Sequence, residues 1–156
     1  MNPPIHLDLA DVAIARSVLD LQRAAYAVEA AIIGSDAIPA LTETIEALRS
    51  AGEDWLGIGD AGGLVGAVSW TTLDDGTLDI HRLVVAPRVF RRGVATALLD
   101  GLDRAFPDRS MVVSTGRENE PALALYRDRG FRVVRDREVV PGLVIRELER
   151  RRPIPG

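Results

Sequence analysis

Apolar positions recur every three to four residues from Val12 onward. Val12, Ala15, Val18, Leu19, Gln22 and Tyr26 fall near one face of a helix. Asp8 or Asp11 is placed to cap that helix, which the pattern carries to about Ile33 before Gly34-Ser35-Asp36 breaks it. A second helix starts at Pro39 or Thr42, buries Leu41, Ile45 and Leu48, and stops at Gly52. Strand character marks Ile5–Leu9, Trp55–Gly59, Leu64–Thr72, Thr77–Val85 and Met111–Ser114, with turns at Asp60-Ala61-Gly62-Gly63 and Asp74-Asp75-Gly76. Helical spacing returns after Gly93, where Val94, Ala95, Leu98, Leu99 and Leu102 share a face and Pro107 closes the element. It returns again from about Asn119 to Arg129, with Gly130 as the stop. Phe131–Arg137 and Leu143–Leu148 read as a hairpin across Pro141-Gly142, and residues 150–156 as a frayed tail. The order β-α-α-β-β-β-α-β-α-β-β predicts an α/β (α+β) chain: a mixed sheet with helices on both faces, in one domain over residues 1–156.

Composition narrows the class. With 156 residues, 47% apolar and 27% charged, the chain reads as one soluble globular domain. No apolar run is long enough to span a bilayer, and Met1–Leu9 lacks the basic and apolar regions of a signal peptide, so the expected compartment is the cytoplasm. Cysteine is absent and His6 and His81 are the two histidines, which argues against disulfides, thiolate chemistry and a metal centre. Residues 1–78 hold three arginines against twelve acids, whereas residues 79–156 hold sixteen arginines against eleven acids. The absence of lysine excludes a Walker A loop, and the acidic total with 4% aromatics speaks against nucleic-acid binding.

The basic half contains the segment with the clearest chemistry. In L-V-V-A-P-R-V-F-R-R-G-V-A-T-A-L-L, residues 83–99, a β-branched strand runs into an arginine-bearing loop and a helix N-terminus. The first turn of a helix has N–H groups without intrahelical partners and the positive end of the dipole, so it suits an anion. Gly93 and Ala95 are small enough for close approach, and Arg88, Arg91 and Arg92 add positive charge. A phosphate or pyrophosphate is the implied ligand. In N-E-P-A-L-A-L-Y-R-D-R-G-F, residues 119–131, Asn119 and Tyr126 stand seven apart and therefore within about 20° of each other on one helix face. Ala122 keeps that face low between them.

Together these two segments resemble the GNAT superfamily of acetyl-coenzyme A-dependent N-acyltransferases. R-L-V-V-A-P-R-V-F-R-R-G-V-A-T-A-L-L is similar to its central coenzyme motif, and V-S-T-G-R-E-N-E-P-A-L-A-L-Y-R-D-R-G-F to its second. The resemblance implies a mostly antiparallel sheet of about seven strands and acetyl-CoA as cosubstrate. It implies that Leu83, Val84 and Val85 pair with the pantetheine arm, and that Arg91, Arg92, Gly93, Val94, Ala95 and Thr96 form the pyrophosphate loop. Asn119 would hydrogen-bond the pantetheine region, with Ala122 beside it, and Tyr126 would lie by the sulfur as general acid. Phe90 departs from the Gln or Arg often found three residues before the loop glycine, which puts one polar contact in doubt.

The resemblance further implies direct attack of a primary amine on the thioester: a small amine, an amino acid, a peptide N-terminus or a lysine. A catalytically inactive acyl-CoA-binding module is the alternative, and an intact Tyr126 favours the enzyme. For the base, His81 is the first expectation because imidazole titrates near neutrality. Strict alternation would put His81, Leu83 and Val85 on one strand face and Ile80, Arg82 and Val84 on the other. Glu29 is the second. Glu29, Asp36, Glu43, Glu46, Glu53 and Asp54 would give the acceptor region a negative field that draws in a cationic amine. By family analogy, a homodimer through the C-terminal hairpin is expected.

Overall fold

Asp11 begins the first long element. Its Oδ1 accepts from the N–H of Ala13 at 2.9 Å and of Ile14 at 3.4 Å, supplying two donors that the helix start leaves without partners. The computed structural model describes residues 2–33 and 42–153. Its elements are β1 (Ile5–His6), α1 (Val12–Ile33), α2 (Ile45–Ser50), β2 (Asp54–Asp60), β3 (Gly63–Thr72), β4 (Leu78–Val85), α3 (Val94–Ala105), β5 (Met111–Gly116), α4 (Glu120–Asp128), β6 (Arg132–Val140) and β7 (Leu143–Arg150). The expected break at Gly34-Ser35-Asp36, the Pro39 start, Leu41 and residues 154–156 lie outside the described residues. Among those described, no helix is long and apolar enough to cross a membrane.

The seven strands form one sheet in the order β1-β2-β3-β4-β5-β7-β6, antiparallel except where β4 meets β5. The second helix starts later than the pattern implies: Thr44, not Thr42, is its cap, its Oγ1 accepting from Ala47 N at 3.2 Å. β6 runs on to Val140, three residues past its expected end. Every residue of β6 is exposed, so no buried face imprints a period on its sequence. Cross-strand ion pairs from Arg135 to Glu147 and from Arg146 to Asp136 accompany it instead. The expected tail also begins late. Arg150 completes β7, and Arg152 N donates to Ser110 Oγ at 2.9 Å.

Two cores flank the sheet. Leu98, Leu99 and Leu102 of α3 and Leu123 and Tyr126 of α4 pack on one face with Leu78, Ile80, Met111 and Leu148. Ala15, Val18 and Leu19 of α1 and Leu48 of α2 pack on the other with Trp55, Ala67 and Val84. β4 contributes to both because it changes face midway. Ser69 pairs with Arg82 and Trp70 with Ile80, so His81 is an extra residue: a β-bulge. Before it, Leu78 and Ile80 face α3; after it, Val84 faces α1 and Leu83 and Val85 take the α3 side. The strict alternation expected from the sequence, which grouped Ile80 with Arg82 and Val84, therefore fails at the bulge.

The bulge turns Arg82 inward beneath α1. Its guanidinium donates to Glu53 at 2.9 and 3.0 Å, to Gln22 Oε1 at 2.9 Å and to both carboxylate oxygens of Glu43. Ser69 Oγ bonds Glu53 at 2.6 Å, and the guanidinium lies 5.6 Å from the Trp55 ring centre. Burial pushes Glu43 up, but the hydrogen bonds from Arg82 and Gln22 outweigh it and hold the carboxyl below its ordinary value. Burial likewise opposes the charge on Arg82, and Glu43 and Glu53 overcompensate.

Replacing Arg82 by Met leaves the buried carboxylates without their cation. It should lower stability at pH 7 by about 3–5 kcal/mol, since breaking a buried pair costs that much. In the wild type, Glu43 contributes fully above its unfolded value of about 4.3 and loses its contribution as pH falls through its lower folded value. The gap between wild type and Arg82→Met should therefore narrow on acidification to about pH 4, as the stranded Glu43 takes up a proton; thermal unfolding across that range reads it.

Candidate active site

β4 and β5 pair only from Leu78 with Met111 to Ile80 with Val113. Past the bulge, β4 stays with β3 as far as Val85 and Gly66, while β5 continues with β7. The two strands part, and a cavity of about 500 Å³ lies along the freed stretch of β4, between it and α4. Leu83, Val84 and Val85 form one wall; Val89–Arg91 and Gly93–Thr96 close one end. Asn119, Pro121, Ala122 and Leu125 of α4 form the opposite wall, and Ala25, Tyr26, Val28, Glu29 and Ile32 of α1 cover it.

The α3 end is built for an anion. Gly93, the N-cap residue, sits at φ 78° with no side-chain hydrogen bond to the first turn. The N–H groups of that turn thus keep their capacity for a ligand. A Cβ at Gly93 would meet nothing within 4 Å, so this backbone faces open space. Arg91 also adopts a left-handed backbone, φ 64°, which costs a non-glycine residue on the order of 1 kcal/mol and curls the loop. Among the described residues, Arg91 and Arg92 form no salt bridge. Arg88 is spent: its guanidinium grips Asp60 at 2.9 and 3.1 Å. Phe90 is exposed at the rim. An uncapped helix end, a bare glycine and an unpaired arginine fit the pyrophosphate of coenzyme A, and the mostly apolar walls fit its arm.

At α4, Asn119 is buried and caps the helix, its Oδ1 accepting from Ala122 N at 3.3 Å. It also faces the Glu29 carboxylate and favours its charged form, yet burial dominates and raises the Glu29 pKa above the ordinary carboxylate value. Tyr126 is 3% exposed and packs edge-on against Phe131 at 5.4 Å between ring centres. Burial raises its pKa, and Tyr26 and Glu29 push it further in the same direction. Tyr26 responds similarly, to burial first and then to Glu29. Tyr26, Glu29 and Tyr126 therefore gather in one region.

Of the sequence-predicted residues, Leu83, Val84, Val85, Arg91, Gly93, Val94, Ala95, Thr96, Asn119 and Ala122 line the cavity, while the exposed Arg92 and the buried Tyr126 do not. His81 lies outside it, with Nε2 2.9 Å from Thr71 Oγ1 and 3.7 Å from Asp79. Tyr26, Val28 and Ile32 were not foreseen as site residues. Their signal is the spacing Ala25, Val28, Glu29, Ile32, a second helical stripe that continues α1 beyond its core face.

Comparison with known proteins agrees with this geometry. The acetyltransferase (GNAT) family profile matches residues 16–131. The chain is 35% identical over 136 residues to the UPF0157 protein YqkA of Bacillus subtilis (strain 168), covering 86% of this chain and 39% of that protein, so it spans about two-fifths of that relative. The fold resembles the ribosomal-protein-S18-alanine N-acetyltransferase of Escherichia coli, with TM-score 0.78 and 17% identity over 100% of this chain and 97% of that one. It also resembles an aminoglycoside 6'-N-acetyltransferase complexed with coenzyme A, with TM-score 0.73 and 14% identity over 99% and 100% of the two chains. With the split between β4 and β5, the uncapped α3 and the profile match across most of its length, the chain belongs to the acetyltransferase (GNAT) family.

Proposed function

We propose that the chain transfers an acetyl group from acetyl-CoA to a primary amine by direct attack in a ternary complex. The observation that carries this reading is the cavity itself. It has an anion-binding helix end at one extremity and a half-buried carboxylate, Glu29, among its walls. A pure binding module has no use for a carboxylate raised toward neutrality in such a place.

In this reading the first-turn N–H groups of α3 and the Arg91 guanidinium hold the pyrophosphate. The backbone of Leu83–Val85, unpaired on its β5 side, aligns the arm and aims N–H groups at the thioester carbonyl. Bound acetyl-CoA supplies an activated acyl group. Of the two bases foreseen, Glu29 lines the cavity and His81 does not, so Glu29 takes the proton from the amine, directly or through water. Tyr126 acts as a hydrogen-bond donor rather than a proton donor. A phenol starts near 10 and a thiol near 8.5, and burial raises Tyr126 further, so the proton stays on the phenol oxygen while the bond polarises toward sulfur. The acidic side chains of residues 1–78 favour a cationic acceptor: a small amine, an amino acid, a peptide N-terminus or a lysine.

Acetyl-CoA should raise the melting temperature, because a ligand that binds only the native state stabilises it. Gly93→Asp should abolish that rise, since its carboxylate would stand at the anion site; a retained shift would mean that the loop does not hold the pyrophosphate. Glu29→Gln should keep coenzyme binding and lower kcat for amine acetylation by about 10²–10⁴-fold, the usual share of a general base. Thiol release from acetyl-CoA across a panel of amines measures it, and an unchanged kcat would remove Glu29 from the chemistry.

A further inference from the structure

Tyr26 comes from α1 and lines the cavity. Tyr126 comes from α4, the helix whose Ala122 and Leu125 line the opposite wall. Neither hydroxyl makes a hydrogen bond among the described residues, and neither is among the fully sealed polar atoms that lack a partner there, Trp70 Nε1, Arg150 Nε and Arg152 Nε. Both oxygens therefore open onto space. Two phenols without a protein partner take one from whatever fills the space beside them. Nearer the start of α1, Gln22, Glu43, Glu53, Ser69 and Arg82 bond one another. The pair is thus an exception beside a saturated network.

We propose that Tyr26 is a second hydrogen-bond donor to the coenzyme sulfur, acting with Tyr126 as a two-phenol cradle for the departing thiolate. The inference rests on the acetyltransferase reading: with the pyrophosphate at α3, the thioester reaches toward the phenol end. As the amine nitrogen bonds to the acetyl carbon, the carbon–sulfur bond breaks and its electron pair moves to sulfur. The ammonium first loses one proton to solvent, and the second, released as nitrogen bonds to carbon, goes to Glu29. Both phenols keep their protons, consistent with the elevation of both pKa values by burial, and share the sulfur's negative charge through two O–H donors. Tyr26 is then a catalytic residue that the α4 motif does not contain.

The test separates sulfur recognition from coenzyme binding at large. Coenzyme A and its desulfo analogue are titrated calorimetrically into wild type, Tyr26→Phe and Tyr126→Phe at a pH above 9, where the free thiol is ionised. Tyr26→Phe should weaken coenzyme A about tenfold and leave desulfo-coenzyme A unchanged, with Tyr126→Phe behaving alike. With acetyl-CoA and an amine, Tyr26→Phe should also lower kcat about tenfold or more. If Tyr26→Phe weakens both ligands equally, or neither, the proposal is overturned and Tyr26 only packs. If wild type binds neither ligand, the acetyltransferase reading itself fails. If wild type binds coenzyme A with the sulfur preference but acetylates no amine, that reading fails while Tyr26 stands as a sulfur ligand.

Discussion

The site depends on one extra residue in one strand. His81 has no register partner on β3, and at that bulge β4 rotates and its pairing with β5 ends. Without it, Arg82 would face α3, where Leu98 and Leu102 pack, and a charged group would enter an apolar core at a cost of several kcal/mol. With it, Arg82 meets Glu43, Glu53 and Gln22, and the freed edge of Leu83–Val85 becomes a wall of the cavity. Bulges beside active sites re-aim side chains and stop ladders, and this one does both within two residues.

The Arg82 network joins parts of the chain that are far apart in sequence. It links α1 through Gln22, the approach to α2 through Glu43, the entry to β2 through Glu53 and β3 through Ser69. α1 is held over the sheet with Tyr26 and Glu29 pointed at the cavity, one turn beyond Gln22 and two turns beyond it respectively. The charged cluster so positions these cavity residues without lining the cavity itself. Its satisfied state also explains why the neighbouring phenols stand out.

Much of this was legible in the chain. The element order, both cores and the uncapped start of α3 follow from periodicity, turn residues and the Gly93 region, because each is a local signal that its own packing obeys. The α4 segment was legible by the spacing of Asn119 and Tyr126, of which Asn119 lines the cavity and Tyr126 packs in the core. Three things were not. The bulge left no mark, since a strand sequence with one residue out of phase reads the same as one in phase. The extension of β6 was hidden because an edge strand exposed on both faces has no apolar alternation. Of α1, Glu29 was legible as a candidate base, but Tyr26, Val28 and Ile32 acquire meaning only when α1 lies across the opening between β4 and α4. Arg88 went the other way: it read as an anion ligand and is held by Asp60, a partner brought close only by the β2–β3 turn.

The central claim is that the opening between β4 and β5 receives coenzyme A with its phosphates on α3. Amide hydrogen exchange with and without coenzyme A tests it most directly, because it reports backbone protection segment by segment. The account predicts slowed exchange in two separated stretches, Leu83–Val85 and Gly93–Thr96, with little change in β6 and β7. Protection confined to other segments, or none at saturating coenzyme, would contradict it.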